Sequence, residues 1–320
     1  MTLPLIPPVP AAINTRAAHG SRVSRMASLS ARVDALQAQI ATSRRVSTPA
    51  DDPIAFARAA VLRRTQAADA ATQRSIEAAS ARLRSTDITL SSITSLVQRA
   101  TELALAGSNA TMSEADRAVL ALEVTELADS FAGLAESRTA DGDRLFGGAK
   151  SPGPAYAPDA DGVMQWQGNG TPPPIEAGGS LVPTGLTGPQ AFGKTMPPGP
   201  AHADGTSDLF ASFAGLATAL TEPDPAHRAE ALARRLTEFQ GHTNRLADVQ
   251  AIIGARAARL EAESERLETQ KLARTADLSR LEDLDMVDAI ATLQRLLTVL
   301  EAAQASFART STSSLWDELR

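Results

Sequence analysis

Apolar residues recur along this chain at spacings of three and four, the mark of helices with one buried face. The first run is Val23, Met26, Leu29, Val33, Leu36 and Ile40. Arg22, Arg25, Arg32, Asp34 and Gln37 occupy much of the remaining circumference, so the apolar face is a narrow, nearly heptad seam. The pattern weakens at Thr42 and Ser43, and RRVSTPADDP follows at residues 44 to 53. Pro49 and Pro53 bracket an extended turn there. Asp52 is placed to cap the next helix, with Pro53 at its first position, where a missing N–H costs nothing. Asp51 adds negative charge beside the positive end of that helix.

The second helix is predicted over residues 54 to 106. Ile76, Leu83, Leu90 and Val97 repeat every seven residues, with Ala79, Thr86, Ile93 and Ala100 between them. Gly107-Ser108-Asn109 ends it. A third helix starts at Ser113, with Asp116 at its third position and a stripe of Leu120, Val124, Leu127, Phe131 and Leu134. The short loop between the two predicts an antiparallel hairpin. From about 141 to 205 the chain turns rich in Gly and Pro, and a run such as GVMQWQG is expected to form a short strand.

Helical pattern returns at 208 to 220 and again from 226 to about 275. The second of these carries Leu246, Ile253, Leu260 and Leu267 at seven-residue steps, interrupted by Arg256 and Glu263. The last stripe is Met286, Ile290, Leu293, Leu297, Leu300 and Phe307. Each terminal stripe is one narrow apolar face on a polar helix. Such a helix is marginal alone in water, so the two are expected to pair with each other or to pack between copies. The fold class is mainly α: long coiled-coil-like helices with a small β-rich or irregular outer insert.

Composition sharpens this. Hydrophobic residues are 43% of 320 but aromatics only 3%, which suits thin helix–helix seams. The net charge of −6 is interspersed, with no basic stripe interleaved with aromatics, so nucleic acid is not an expected partner. The absence of cysteine excludes disulfides, thiol catalysis and thiolate metal sites. No window approaches 18 consecutive apolar residues, so no membrane partner is expected, and MTLPLIPPVPAAINTR lacks the basic leading region of a secretory signal.

One string invites a catalytic reading. GPQAFGKT, residues 188 to 195, fits the phosphate-loop pattern through Gly188, Gly193, Lys194 and Thr195. Phosphate binding there requires a buried strand before the loop and a helix after it. LVPTGLT precedes it, broken by Pro183 and Gly185, and MPPGP follows, so the stretch is expected to be turns with a solvated Lys194. His19, His202, His227 and His242 have no ligand spacing, and Asp51-Asp52 fits caps better than a metal or acid–base pair. No catalytic residue, cofactor or metal is expected.

Several of these segments carry a resemblance. ATSRRVSTPADDP (41 to 53) resembles the signature of the flagellin-like axial proteins of bacteria, through Arg45, Pro49, Asp51, Asp52 and Pro53. STDITLSSITSLVQRATELALAGSNATMSEADR (85 to 117) resembles their hairpin and GDRLFGG (142 to 148) its exit. DGVMQWQGNG (161 to 170) resembles an outer β segment, and DAIATLQRLLTVLEAAQASFARTSTSSLWDEL (288 to 319) resembles the C-terminal helix and tail. Two features depart from the family pattern: the leading MTLPLIPPVPAA, and Ser43 where Gly is usual.

The resemblance implies a nested architecture. Residues 1–45 and 284–320 would form an inner domain of paired terminal helices, 46–140 and 206–283 a helical bundle, and 141–205 an outer β-rich domain. It also implies a structural, non-enzymatic subunit of the bacterial flagellum seated where hook meets filament. Such a subunit is extracellular and exported without a cleaved signal. Its partners would be further copies of itself, the preceding hook-associated junction protein, flagellin and an export chaperone. The two terminal stripes would be the packing residues. A filament-forming flagellin and, in another class, a cytoplasmic coiled-coil adaptor are the alternative readings.

Overall fold

The computed structural model describes residues 15–149, 153–160, 162–193 and 208–317. Among them are seven α-helices and four short strands: α1 (Thr15–Thr42), α2 (Pro53–Gly107), α3 (Glu114–Ala135), β1 (Tyr156–Pro158), β2 (Met164–Trp166), β3 (Ile175–Ala177), β4 (Ser180–Val182), α4 (Gly188–Phe192), α5 (Leu209–Leu220), α6 (Pro225–Glu282) and α7 (Met286–Asp317). Packing divides the chain into two compact units, one of residues up to 67 with those from 271 onward, the other of residues 68–270. These limits fall inside α2 and α6, whereas the inner-domain bounds implied by the resemblance, 45 and 284, fall in the connections that follow α1 and α6.

The second unit holds the larger core. Ile76, Leu83, Leu90 and Val97 of α2 are all buried, as are Leu246, Ile253, Leu260 and Leu267 of α6. The heptad steps thus become one face of each helix. Ser113 caps α3 by accepting from the Asp116 N–H at 3.1 Å, and its hydroxyl donates back to the Asp116 carboxylate at 2.7 Å. The aromatics are few but gathered. Phe131, Phe146, Phe192, Phe210, Phe213 and Phe239, six of the eight phenylalanines, form one chain of ring contacts joining α3, α5 and α6 to the 141–205 segment. That segment is therefore rooted in the helical core rather than tethered to it.

Within it, β1 pairs antiparallel with β2 and β3 with β4. Gly178 and Gly179, with φ of 60° and 75°, make the two-residue β3–β4 turn that only such conformations allow. The turn rests on α6, where Gly178 donates its N–H to Glu263 and Arg256 donates to the Gly185 carbonyl at 2.9 Å.

The first unit consists of α1, the start of α2, the end of α6, and α7. α1 and α7 pack along each other and run antiparallel from a common end, where Leu284 N–H donates to the Ser43 carbonyl and Arg44 bridges Asp283. α1 begins at Thr15, earlier than the apolar pattern from Val23 indicated.

Candidate assembly surfaces

The turn between α1 and α2 is built from its carboxylates. Asp52 caps α2, its Oδ1 accepting from Ala55 N–H at 2.9 Å and Ile54 N–H at 3.2 Å, and Pro53 is the first helical residue. The Ala55 N–H, and then Arg45, hold the Asp52 carboxyl below its ordinary range. Asp51 Oδ2 accepts from the backbone N–H and the hydroxyl of both Thr48 and Ser47. The Thr48 and Ser47 amides lead in drawing its pKa down to about 2, so it stays ionised. Pro49 lies exposed within this turn.

Arg45 ties the turn to the end of α6. Its guanidinium donates to the Leu281 carbonyl at 2.8 Å and to Asp52 at 3.3 Å, while its N–H donates to the Glu282 carbonyl at 2.7 Å. Pattern reading did not reach the acceptor at the centre. The buried Glu282 carboxylate meets Arg63 at 2.6 Å and Arg44 at 3.8 Å, beside the buried Val46. The only sequence signal for it was its place ahead of LDMVDAI, after the last heptad of α6.

The terminal stripes split into two groups. On α1, Val33 is buried; Met26, Leu29, Leu36 and Ile40 are partly buried; Val23 is exposed. On α7, Met286, Leu293, Leu300 and Phe307 are partly buried along a line completed by Ala289, Leu296 and Ala303. Ile290 and Leu297 lie off that line, 44% and 37% exposed, and Val287 is 82% exposed. Within the chain, α1 and α7 therefore share one seam, and α7 keeps a second apolar strip turned outward.

The phosphate-loop string has another role in the fold. Gly188 to Phe192 form the five-residue α4, where only turns were expected. Thr187 and Gln190 make a reciprocal capping box at its start, and the Gly188 N–H donates to the Phe146 carbonyl. A side chain on Gly188 would strike the Tyr156 hydroxyl, so this glycine permits close packing. Gly193, at φ 92°, ends the helix. Lys194, Thr195 and His202 lie outside the described residues. No group of residues suited to hold a metal occurs among the described residues, and none of their helices is long and apolar enough to cross a membrane.

Two family models match the chain: the bacterial flagellin N-terminal helical region over residues 13–151 and the bacterial flagellin C-terminal helical region over residues 236–315. The chain belongs to the flagellin family of bacterial flagellar proteins. Within it, the chain is 28% identical over 278 residues to Flagellar hook-associated protein 3 of Escherichia coli (strain K12), covering 84% of this chain and 87% of that protein. It is 25% identical over 304 residues to Flagellar hook-associated protein 3 of Salmonella typhimurium (strain LT2), covering 92% and 95%. The crystal structure of flagellar hook associated protein-3 from Legionella pneumophila shares the fold, with a TM-score of 0.61, 15% identity, and coverage of 69% of this chain and 98% of that one.

Proposed function

We propose that this chain is a structural subunit of the bacterial flagellum that joins hook to filament, assembling by coiled-coil packing of its terminal helices. The observation that carries the reading is the pairing of α1 with α7 at one end of a chain whose two ends both match the flagellin helical regions. Packing, rather than bond-making chemistry, is then the mechanism. The seam residues of α1 and α7 hold the chain ends together, and the outward strip of Ile290 and Leu297 meets neighbours. The Arg45–Asp52 turn sets where the terminal helices leave the bundle.

On this reading the terminal helices form an inner domain, the long helices a second helical domain, and residues 141–205 an outer one. The subunit contacts the preceding hook-associated junction protein on one side and flagellin on the other. It is exported without a cleaved signal, accompanied before export by a chaperone. A strain deleted for the chain tests the role. Hooks with filament shed into the medium, restored by the wild-type chain, are expected. Normal filaments on the deletion strain, or loss of hooks as well, would refute it.

A further inference from the structure

In the second unit, α2 and α3 each bury one face in the core and turn another to solvent. The outward face of α2 reads Arg84, Ile88, Ser92 and Ser95, at steps of four, four and three. That of α3 reads Ala115, Ala118, Leu122 and Glu126, at steps of three, four and four. Every one of these residues is exposed, Ile88 by 67% and Leu122 by 68%. A large apolar side chain left in water at the centre of each face favours being covered.

The two faces match when laid antiparallel, because the steps of one are those of the other reversed. With Ile88 on Leu122, Arg84 meets Glu126 about 6 Å to one side, and Ser92 meets Ala118 about 6 Å to the other. Ser95 then meets Ala115, so small residues face small residues and the helices can approach closely. The Ser92 and Ser95 hydroxyls donate to the Ile88 and Ser91 carbonyls at 3.1 and 3.2 Å, which leaves no unmet donor opposite the alanines. Arg84 and Glu126 have no ion pair among the described residues. They cannot meet within one chain. The Arg99–Glu123 bridge at 2.7 Å sets the level of α2 against α3, which puts Glu126 level with about residue 96, roughly 18 Å along α2 from Arg84. We propose that the outward face of α3 in one copy packs antiparallel on the outward face of α2 in a second copy of this chain, with Leu122 on Ile88 and Glu126 beside Arg84. The contact joins two different patches, so it is heterologous and propagates from copy to copy instead of closing a two-fold pair. It rests on the assembly role above and specifies one of its interfaces.

The cysteine-free sequence permits a direct test. A tagged Ile88→Cys chain and an untagged Leu122→Cys chain are co-expressed in the deletion strain, and purified flagella are oxidised. One cysteine per chain excludes an internal link. The expected product is a mixed dimer of one tagged and one untagged chain, absent when either variant is expressed alone. Flagella that contain both variants but yield no mixed dimer would overturn the proposal, as would a link from either position to its own kind or to another protein. Where either variant stays out of flagella, the same oxidation of the purified chains in mixture decides by the same product. Charge reversal supplies a second measurement. Arg84→Glu and Glu126→Arg are each expected to lower the copies per flagellum about fivefold, as for loss of a surface ion pair. A chain carrying both changes restores the wild-type number, since each copy then offers its neighbour the inverted pair. Single reversals without effect, or a double variant no better than either, would overturn the proposal. Absence of the wild-type chain from purified flagella would overturn the junction reading alone, leaving the mixed dimer of purified chains to judge the contact.

Discussion

Ser43 follows the last residue of α1 with φ of 55°, the only positive φ among the described non-glycine residues. That conformation ends helices and favours glycine, because a Cβ there crowds the backbone. The flagellin-like signature usually has glycine at this point, and the geometry gives the reason. Ser43→Gly is expected to stabilise the first unit by roughly 0.5–1 kcal/mol, read as a raised thermal midpoint. His242 offers the complementary case of a buried titratable group. Its Nε2 lies 2.9 Å from the Ser212 hydroxyl, which donates onward to Glu238 at 3.1 Å. With the hydroxyl proton directed to Glu238, the ring Nε2–H is the donor to Ser212. Burial, and then Arg245, lower its pKa from 6.5 to about 4. As pH falls from 6.5 towards 4, the unfolded chain takes up a proton that the native chain refuses, so stability is lost across that window and levels off below it. The loss amounts to roughly 3 kcal/mol. Urea midpoints at pH 7, 5 and 4 should therefore converge between wild type and His242→Gln as pH falls, since only the wild type carries this slope.

At the scale of elements, the clasp between the α1–α2 turn and the end of α6 depends on one carboxylate. Glu282→Ala removes the partner of Arg63 and Arg44 while leaving the backbone bonds from Arg45 and Val46 in place. Both arginines are substantially solvated, so the cost is expected near 1 kcal/mol. The local effect should be clearer than the global one, as faster proteolysis within residues 43–53 with an unchanged core. Much of this architecture was legible beforehand. α2 and α6 follow their heptads, the capping signals at Asp52 and Ser113 mark true helix starts, and MQW forms β2. Glu282 escaped because its partners lie more than two hundred positions away and leave no local pattern. α4 escaped because Gly and Pro signal turns, although Pro189 sits in its first turn and Thr187 and Gln190 complete a capping box. The face of α7 was ambiguous for a definite reason. Met286, Leu293, Leu300 and Phe307 belong to two overlapping stripes, one continuing through Ala289, Leu296 and Ala303, the other through Ile290 and Leu297. The larger side chains made the second stand out, yet the first faces α1, since small residues let two helices approach closely.

For the whole molecule, that ambiguity becomes a device for assembly. A helix with one apolar line is satisfied by a single partner. A helix with two lines sharing a spine still exposes apolar surface after its first pairing, and water favours covering it. The two lines can be separated by experiment. Leu293 lies on the shared spine, partly buried in the chain, whereas Leu297 belongs only to the outward strip. Leu293→Asp is expected to weaken the α1–α7 pairing in the isolated chain, seen as rapid proteolysis of both ends, and to abolish incorporation into flagella. Leu297→Asp should leave helix content and end protection of the isolated chain like those of the wild type, and still abolish incorporation. With 37% of Leu297 exposed in the chain, covering it is worth roughly 0.5–1 kcal/mol per contact, an aspartate there adds the cost of desolvating a charge, and the loss recurs at every copy in the assembly. Incorporation of the Leu297→Asp chain at the wild-type level, counted by quantitative immunoblot of purified flagella, would mean that the outward strip of α7 stays in contact with water and that assembly uses other surfaces.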